Sequence, residues 1–305
     1  MQTSLKDLIL DYIKKHESIH EPSTIQGEFG LFRSISKCLD NICVSTVDEL
    51  NFDTFGLMVK YYKQFTNRKH NSINKDLSFI KTVLRFNRIL DHPFLLTKKL
   101  KNDVEHVKPF YEDDLISIFE YFKRLDKSEN SYVYRGVAFM LYATGCRVTE
   151  LLNIKISNID IRHRQIQLID TKTKKPRLVY YSKHQDETVR ELIDKNKQST
   201  WLFWNNLKDR RLQLEDIRNF NKKASVKLGI NIYSRRFRKT MATDLAKKTK
   251  GDLKMLQTLL GHTDIKMTQV YVDYSDAQAK SAYDENAHEL PVYEKMYGKK
   301  NKKAR

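Results

Sequence analysis

Helix breakers are scarce in this chain, with nine glycines and five prolines among 305 residues. Such scarcity argues against a turn-rich all-β fold and favours helices. The three cysteines, Cys38, Cys43 and Cys146, are odd in number and form no Cys-x-x-Cys pair, which argues against a disulfide frame or a zinc cluster. No stretch approaches ~18 consecutive apolar residues, so no transmembrane helix is expected and no membrane partner. No N-terminal apolar run looks like a signal peptide. The expectation is a cytoplasmic protein with reduced thiols. No Asp, Glu and His cluster has metal-ligand spacing, so neither a metal nor another cofactor is expected.

Negative charge is also short: 38 Asp and Glu stand against 56 Lys and Arg, a net charge of +18. That surplus points to a polyanionic partner, DNA or RNA ahead of a membrane. An AT-rich genome also enriches Lys, Asn, Ile and Tyr, so charge alone leaves both explanations standing. What the chain does have is apolar content, 40% of residues, enough for a core.

Helical periodicity dominates the N-terminal third. Residues 5–16 read as an amphipathic helix, 24–39 as a second after the Pro22-Ser23 start signal, and 47–65 as a third. In residues 71–90, Ile73, Leu77, Ile80 and Leu84 share one helical face. Lys81, Arg85 and Arg88 form a basic stripe on another, which suits either a solvated surface or phosphate contact. Residues 91–110 hold Pro93 and Pro109 and sustain no period, so a linker is expected there. Helices resume at 112–125 and 133–144. Residues 165–182 read as two β-rich runs around a Lys-rich turn, a hairpin. Further helices are expected at 187–195, 212–227, 236–248, 253–260 and 265–272, before a basic tail. The fold class is therefore mainly α with a small antiparallel β-sheet, in two domains. Their expected bounds are 1–98 for a helical domain, 99–109 for a linker, 110–290 for a larger α+β domain and 291–305 for the tail.

Four segments of the second domain carry possible chemistry. In "ATGCRVTELL", Arg147 follows a glycine at a helix junction, with Cys146 read as packing and Glu150 as a possible orienting carboxylate. In the turn "TKTKK", Lys172 ends the first strand and Lys174 and Lys175 lie just beyond; a hairpin lysine can reach a leaving oxygen. In "YSRRFRKTMAT", Arg235 and Arg238 fall three apart, on one helical face, where two guanidiniums can clamp a phosphate. In "LLGHTDIKMTQVYVDY", His262 precedes Tyr271 by nine residues, and a phenol can act as a nucleophile. Each segment alone also suits an ordinary basic surface or a packed aromatic.

Taken in order, these segments resemble the catalytic domain of the tyrosine recombinase (phage integrase) family. "TGCRVTELL" looks like its first arginine box, "RRFRKTMAT" like its second, usually written H-x-L-R-H-T-x-A-T, and the last segment like the third. The resemblance covers about residues 110–275. The N-terminal part is similar to the family's helical, SAM-like core-binding domain, at lower specificity. The sequence departs from the second box at Arg235, where the family usually has His, and at Lys239, where it often has His. Arginine stays protonated at any working pH, so Arg235 can donate hydrogen bonds but cannot shuttle a proton.

The resemblance implies a site-specific DNA recombinase. Tyr271 would attack a DNA phosphodiester, forming a 3′-phosphotyrosyl link and releasing a 5′-hydroxyl, without metal or ATP. Arg147, Arg235 and Arg238 would hold the phosphate, Lys172 would be the general acid with Lys174 as its rival, and His262 would position the phosphate or the tyrosine. Tyr274 is a rival nucleophile that fails the spacing from His262. Lys81, Arg85, Arg88, Lys174, Lys175 and Lys239 are the expected DNA contacts. The expected partners are double-stranded DNA with inverted-repeat core sites, further copies of the chain in a tetramer, and accessory DNA-binding factors. Three alternatives stay open at this level: a non-catalytic DNA-binding relative, a type IB topoisomerase-like enzyme, and a structural helical protein of AT-biased composition.

Overall fold

The computed structural model describes residues 3–103, 107–125, 131–169, 176–248, 252–261 and 266–269. The chain divides into two compact units, Met1–His106 and Val107–Arg305. Among the described residues no helix is long and apolar enough to cross a membrane.

The first unit is built from α1 (Leu5–His16), α2 (Pro22–Asn41), α3 (Phe52–Thr66) and α4 (His70–Phe86), followed by a 3-10 turn at Pro93–Leu96. Local chemistry sets the helix ends. Ser4 caps α1, and Pro22 opens α2 at a position where its missing N–H costs nothing. The third helix starts at Phe52, five residues later than its apolar pattern suggests. Asn51 and Thr54 form a reciprocal capping box there, while the Val47 amide is already bonded to Thr3. Ile73, Leu77, Ile80 and Leu84 of α4 are all buried, as their spacing predicts. The same helix carries Asp76, fully buried. It accepts two hydrogen bonds from Arg68 (2.6 and 2.9 Å) and one from Ser34 (2.6 Å), tying α4 to α2 and to the turn after α3. The chain after the 3-10 turn runs back to α4. Asn74 exchanges two 2.9 Å bonds with the backbone of Leu100, and Asp103 accepts from the His70 amide at 2.6 Å.

The second unit centres on α6 (Ser131–Thr144), apolar on most sides and packed by α5 (Glu112–Arg124), α8 (Asp186–Lys195) and α10 (Ser234–Lys248). A helix buried on all sides needs no polar face. Short α7 (Val148–Leu152) follows it. Strands β1 (Ile159–Asp160), β2 (Gln165–Leu168) and β3 (Arg177–Tyr180) make an antiparallel sheet in that order, with Leu168 opposite Arg177. The hairpin expected at 165–182 is therefore present; its turn, 170–175, lies outside the described residues. A second ladder, β4 (Trp204–Asn205) with β5 (Arg210–Arg211), was not expected, because two-residue polar strands carry no alternation to detect. Helix α9 (Leu214–Leu228) starts where Gln213 and Asp216 cap it, and α11 (Leu253–Leu260) and a helical turn, α12 (Lys266–Gln269), complete the described chain. Phe122, Phe203 and Phe237 are almost fully buried, each stabilising this core by about 1.5–3 kcal/mol.

Candidate active site

The site is assembled where the ends of α6 and α11 meet the middle of α10. Helix α6 stops at Thr144 because Gly145 takes a left-handed conformation, φ +59°. A Cβ there would lie 1.7 Å from the Met241 methyl on α10, so the glycine also permits close helix approach. The turn delivers Arg147 to the N-cap of α7. Its backbone N–H donates to Glu150 Oε2 (2.8 Å) and its Nη1 to Glu150 Oε1 (2.7 Å). Glu150 is 2% exposed. Burial opposes its charge, but the Arg147 amide and the guanidiniums of Arg177 and Arg147 outweigh that and hold the carboxyl below the usual range. The Arg147 side chain keeps 26% exposure.

Arg238 is buried on α10. Its Nη1 donates to the Gly145 carbonyl (2.7 Å) and its Nη2 to the Leu260 carbonyl (2.8 Å). One guanidinium thus joins the turn before Arg147 to the end of α11. Charge-assisted bonds of this kind contribute about 1.5–3 kcal/mol each. Helix α11 ends at Gly261, left-handed at φ +63°, and the next residue is His262. Cys146 is buried between these elements, and burial pushes its thiol up to about 11. It is a packing residue with no thiolate to offer at neutral pH.

Arg235 lies in the first turn of α10 and is exposed, whereas Arg238, three residues on, is buried; Lys239 is half-buried. Arg236, between them, donates to the carbonyls of Lys108, Pro109 and Asn231 and sits 4.1 Å from the Phe110 ring. On α4 and just after it, Arg85 and Arg88 are exposed, while the Lys81 ammonium bonds the carbonyls of Leu95 and Thr97. Lys172, Lys174, Lys175, His262, Tyr271 and Tyr274 lie outside the described residues. Among the described residues no group of His, Cys, Asp and Glu could hold a metal.

The sequence reading missed Arg177, the first residue of β3. Its Nη2 donates to Glu150 Oε2 (2.8 Å) and its Nη1 to the Leu259 carbonyl (2.7 Å). Strand alternation places Arg177 on the inward face with buried Val179, while Leu178 and Tyr180 point out. An inward arginine requires a partner, and that is the one signal the sequence offered.

A mainly helical second unit with a three-stranded antiparallel sheet thus holds Arg147 and Arg238 in one hydrogen-bonded frame, two cations of the kind that bind a phosphate. Residues 108–278 match the model of the phage integrase family. A probable integrase/recombinase of Acholeplasma phage L2 is 30% identical over 285 residues, covering 92% of this chain and 96% of that one. Tyrosine recombinase XerC of Listeria monocytogenes serotype 4a is 26% identical, again over 92% and 96%. Among solved structures, the Tn1549 transposon integrase in complex with a circular intermediate DNA superposes with a TM-score of 0.77 at 17% identity, over 93% of this chain and all of that one. A lambda integrase tetramer bound to a Holliday junction gives 0.71 at 16% identity, over 90% and 81%. The chain belongs to the phage integrase family of tyrosine recombinases. It is a site-specific DNA recombinase, an enzyme that breaks and rejoins DNA.

Proposed function

We propose that this recombinase cleaves duplex DNA at inverted-repeat core sites through Tyr271, working as a tetramer. Tyr271 Oη attacks the phosphorus, the bond to the 5′ oxygen breaks, and the protein becomes linked to the 3′ phosphate. The hydroxyl of a second strand reverses the step, so the bond energy is conserved in the intermediate. Arg147 and Arg238 stabilise charge on the non-bridging oxygens, the effect on which phosphoryl transfer depends most. Lys172 protonates the departing 5′ oxygen. A phenol with its ordinary pKa near ~10 is mostly protonated at neutral pH, so the proton must leave as attack proceeds. Arg235 cannot take it, and His262 is the group assigned to that role.

The observation that supports this reading best is the joint locking of the two boxes. Arg238 bonds both the turn before Arg147 and the last carbonyl of α11, one residue before the Gly261 cap. That arrangement fixes two cations and the departure point of the His262 segment in one frame. Exposed Arg85 and Arg88 supply phosphate contacts from the first unit. The tetramer is inferred by likeness to lambda integrase, which binds a Holliday junction as a tetramer.

The test is a covalent trap. Nicked duplexes with random sequence around the break lose their leaving strand on cleavage and cannot be rejoined. Wild-type protein should retain DNA after denaturation, with a shared sequence motif, and Tyr271→Phe should retain none. Salt-sensitive binding without any adduct would instead indicate a non-catalytic relative.

A further inference from the structure

We propose that Arg177 is a positioning residue for strand cleavage, coupling strand β3 to the Glu150 carboxylate that holds Arg147 and to the end of α11. This rests on the reading of the site given above. The guanidinium is a junction of three separate chain segments. It begins β3, directly after the hairpin turn. Its Nη2 holds Glu150, the carboxylate that also takes two bonds from Arg147. Its Nη1 holds Leu259, two residues before the helix cap. The cap itself is fitted to it: a Cβ on Gly261 would lie 2.6 Å from Arg177 Nε and 2.7 Å from its Cδ. The side chain is 13% exposed, and Nε is buried without a hydrogen-bond partner among the described residues.

A purely structural ion pair would need only the carboxylate. Arg177 divides its donors between Glu150, which aims Arg147, and the carbonyl that fixes the end of α11. Loss of the guanidinium leaves Glu150 buried with one cation instead of two and releases the α11 end from β3. Arg238 still bonds Gly145 and Leu260, so the helices stay together while the angle between their ends relaxes. A displacement of about 1 Å at a reacting centre costs on the order of 10²-fold in rate.

The experiment compares wild type, Arg177→Met, Arg177→Lys, Glu150→Gln and the double variant Arg177→Met/Glu150→Gln. Each is measured for thermal midpoint, for affinity toward intact duplex, and for single-turnover cleavage of the nicked duplex. Arg177→Met should bind DNA within roughly three-fold of wild type and cleave about 10²-fold more slowly. Arg177→Lys keeps a cation beside Glu150 but cannot reach both partners, and should recover part of that rate. The double variant should be no slower than the slower single variant, because the two residues act through each other. Gly261→Ala, which crowds the guanidinium, should lower the cleavage rate in the same way. Wild-type cleavage by Arg177→Lys and Arg177→Met overturns the proposal. So do a loss of binding in step with cleavage, and multiplicative effects in the double variant. If wild type itself forms no Tyr271-dependent adduct, the reading of the site falls and this proposal falls with it.

Discussion

Gly145→Ala separates two physical effects at the turn that presents Arg147. The first is conformational. Alanine at φ +59° enters the left-handed region at a cost of about 1–2 kcal/mol. The second is steric. The new methyl would lie 1.7 Å from Met241 Cε, so the half-buried methionine must swing aside. Forced repacking of that kind costs about 1–3 kcal/mol. Gly145→Ala should therefore destabilise the second unit by about 2–5 kcal/mol, the two effects together. In a Met241→Ala background only the first effect should remain. Both tryptophans, Trp201 and Trp204, lie in the second unit, so urea unfolding followed by tryptophan fluorescence reads that unit alone. The expected outcome is a coupling of about 1–3 kcal/mol between positions 145 and 241. An equal cost in both backgrounds refutes the steric argument. A cost below about 0.5 kcal/mol in both refutes the conformational one as well.

Three further outcomes are expected. Asp216 is 7% exposed; burial acts to raise its pKa, but bonds from Arg210, Lys208 and the Gln213 amide lower it to about 2. Against an ordinary value near 3.9, that depression contributes about 2.5 kcal/mol above pH ~4, lost as pH falls from there through about 2. Asp216→Asn should show a matching loss at pH 7 in the same urea assay and a flatter acid limb. Arg236→Ala removes the bonds to the Lys108, Pro109 and Asn231 carbonyls and the contact with Phe110. Limited proteolysis should then cut near residue 108 faster than in wild type, and an unchanged rate would remove Arg236 as the anchor of that segment. Arg85→Gln and Arg88→Gln, tested on DNA, should each reduce the slope of log affinity against log salt by about 1. Lys81→Gln, whose ammonium is taken up by two carbonyls, should change that slope less and stability more.

What the sequence made legible was whatever follows from a repeating period. The face of Ile73, Leu77, Ile80 and Leu84 is an example, because burial of a helix repeats every three or four residues. The apolar pattern ran too far at Val47 because periodicity says nothing of where a cap competes; the Asn51–Thr54 box decided that end. Arg147 and Arg238 stood out by motif and spacing, but not what they touch. The partners of Arg238 are carbonyls of Gly145 and Leu260, and main-chain oxygens leave no mark on a sequence. Arg177 was hidden for the opposite reason. It follows Lys174, Lys175 and Pro176 in a basic run, where one more cation reads as turn surface. Only the strand register, which turns it inward beside Val179, sets it apart.

Arg238 and Arg177 together grip the oxygens of Gly145, Leu259 and Leu260. A peptide oxygen is the same whichever amino acid carries it. The lock is thus indifferent to mutation at 259 and 260, provided the helix persists, and those side chains are left to follow the local core. Such a frame can be inherited through long divergence with few letters kept. A backbone common to chains that share 17% of their residues is the outcome that indifference permits.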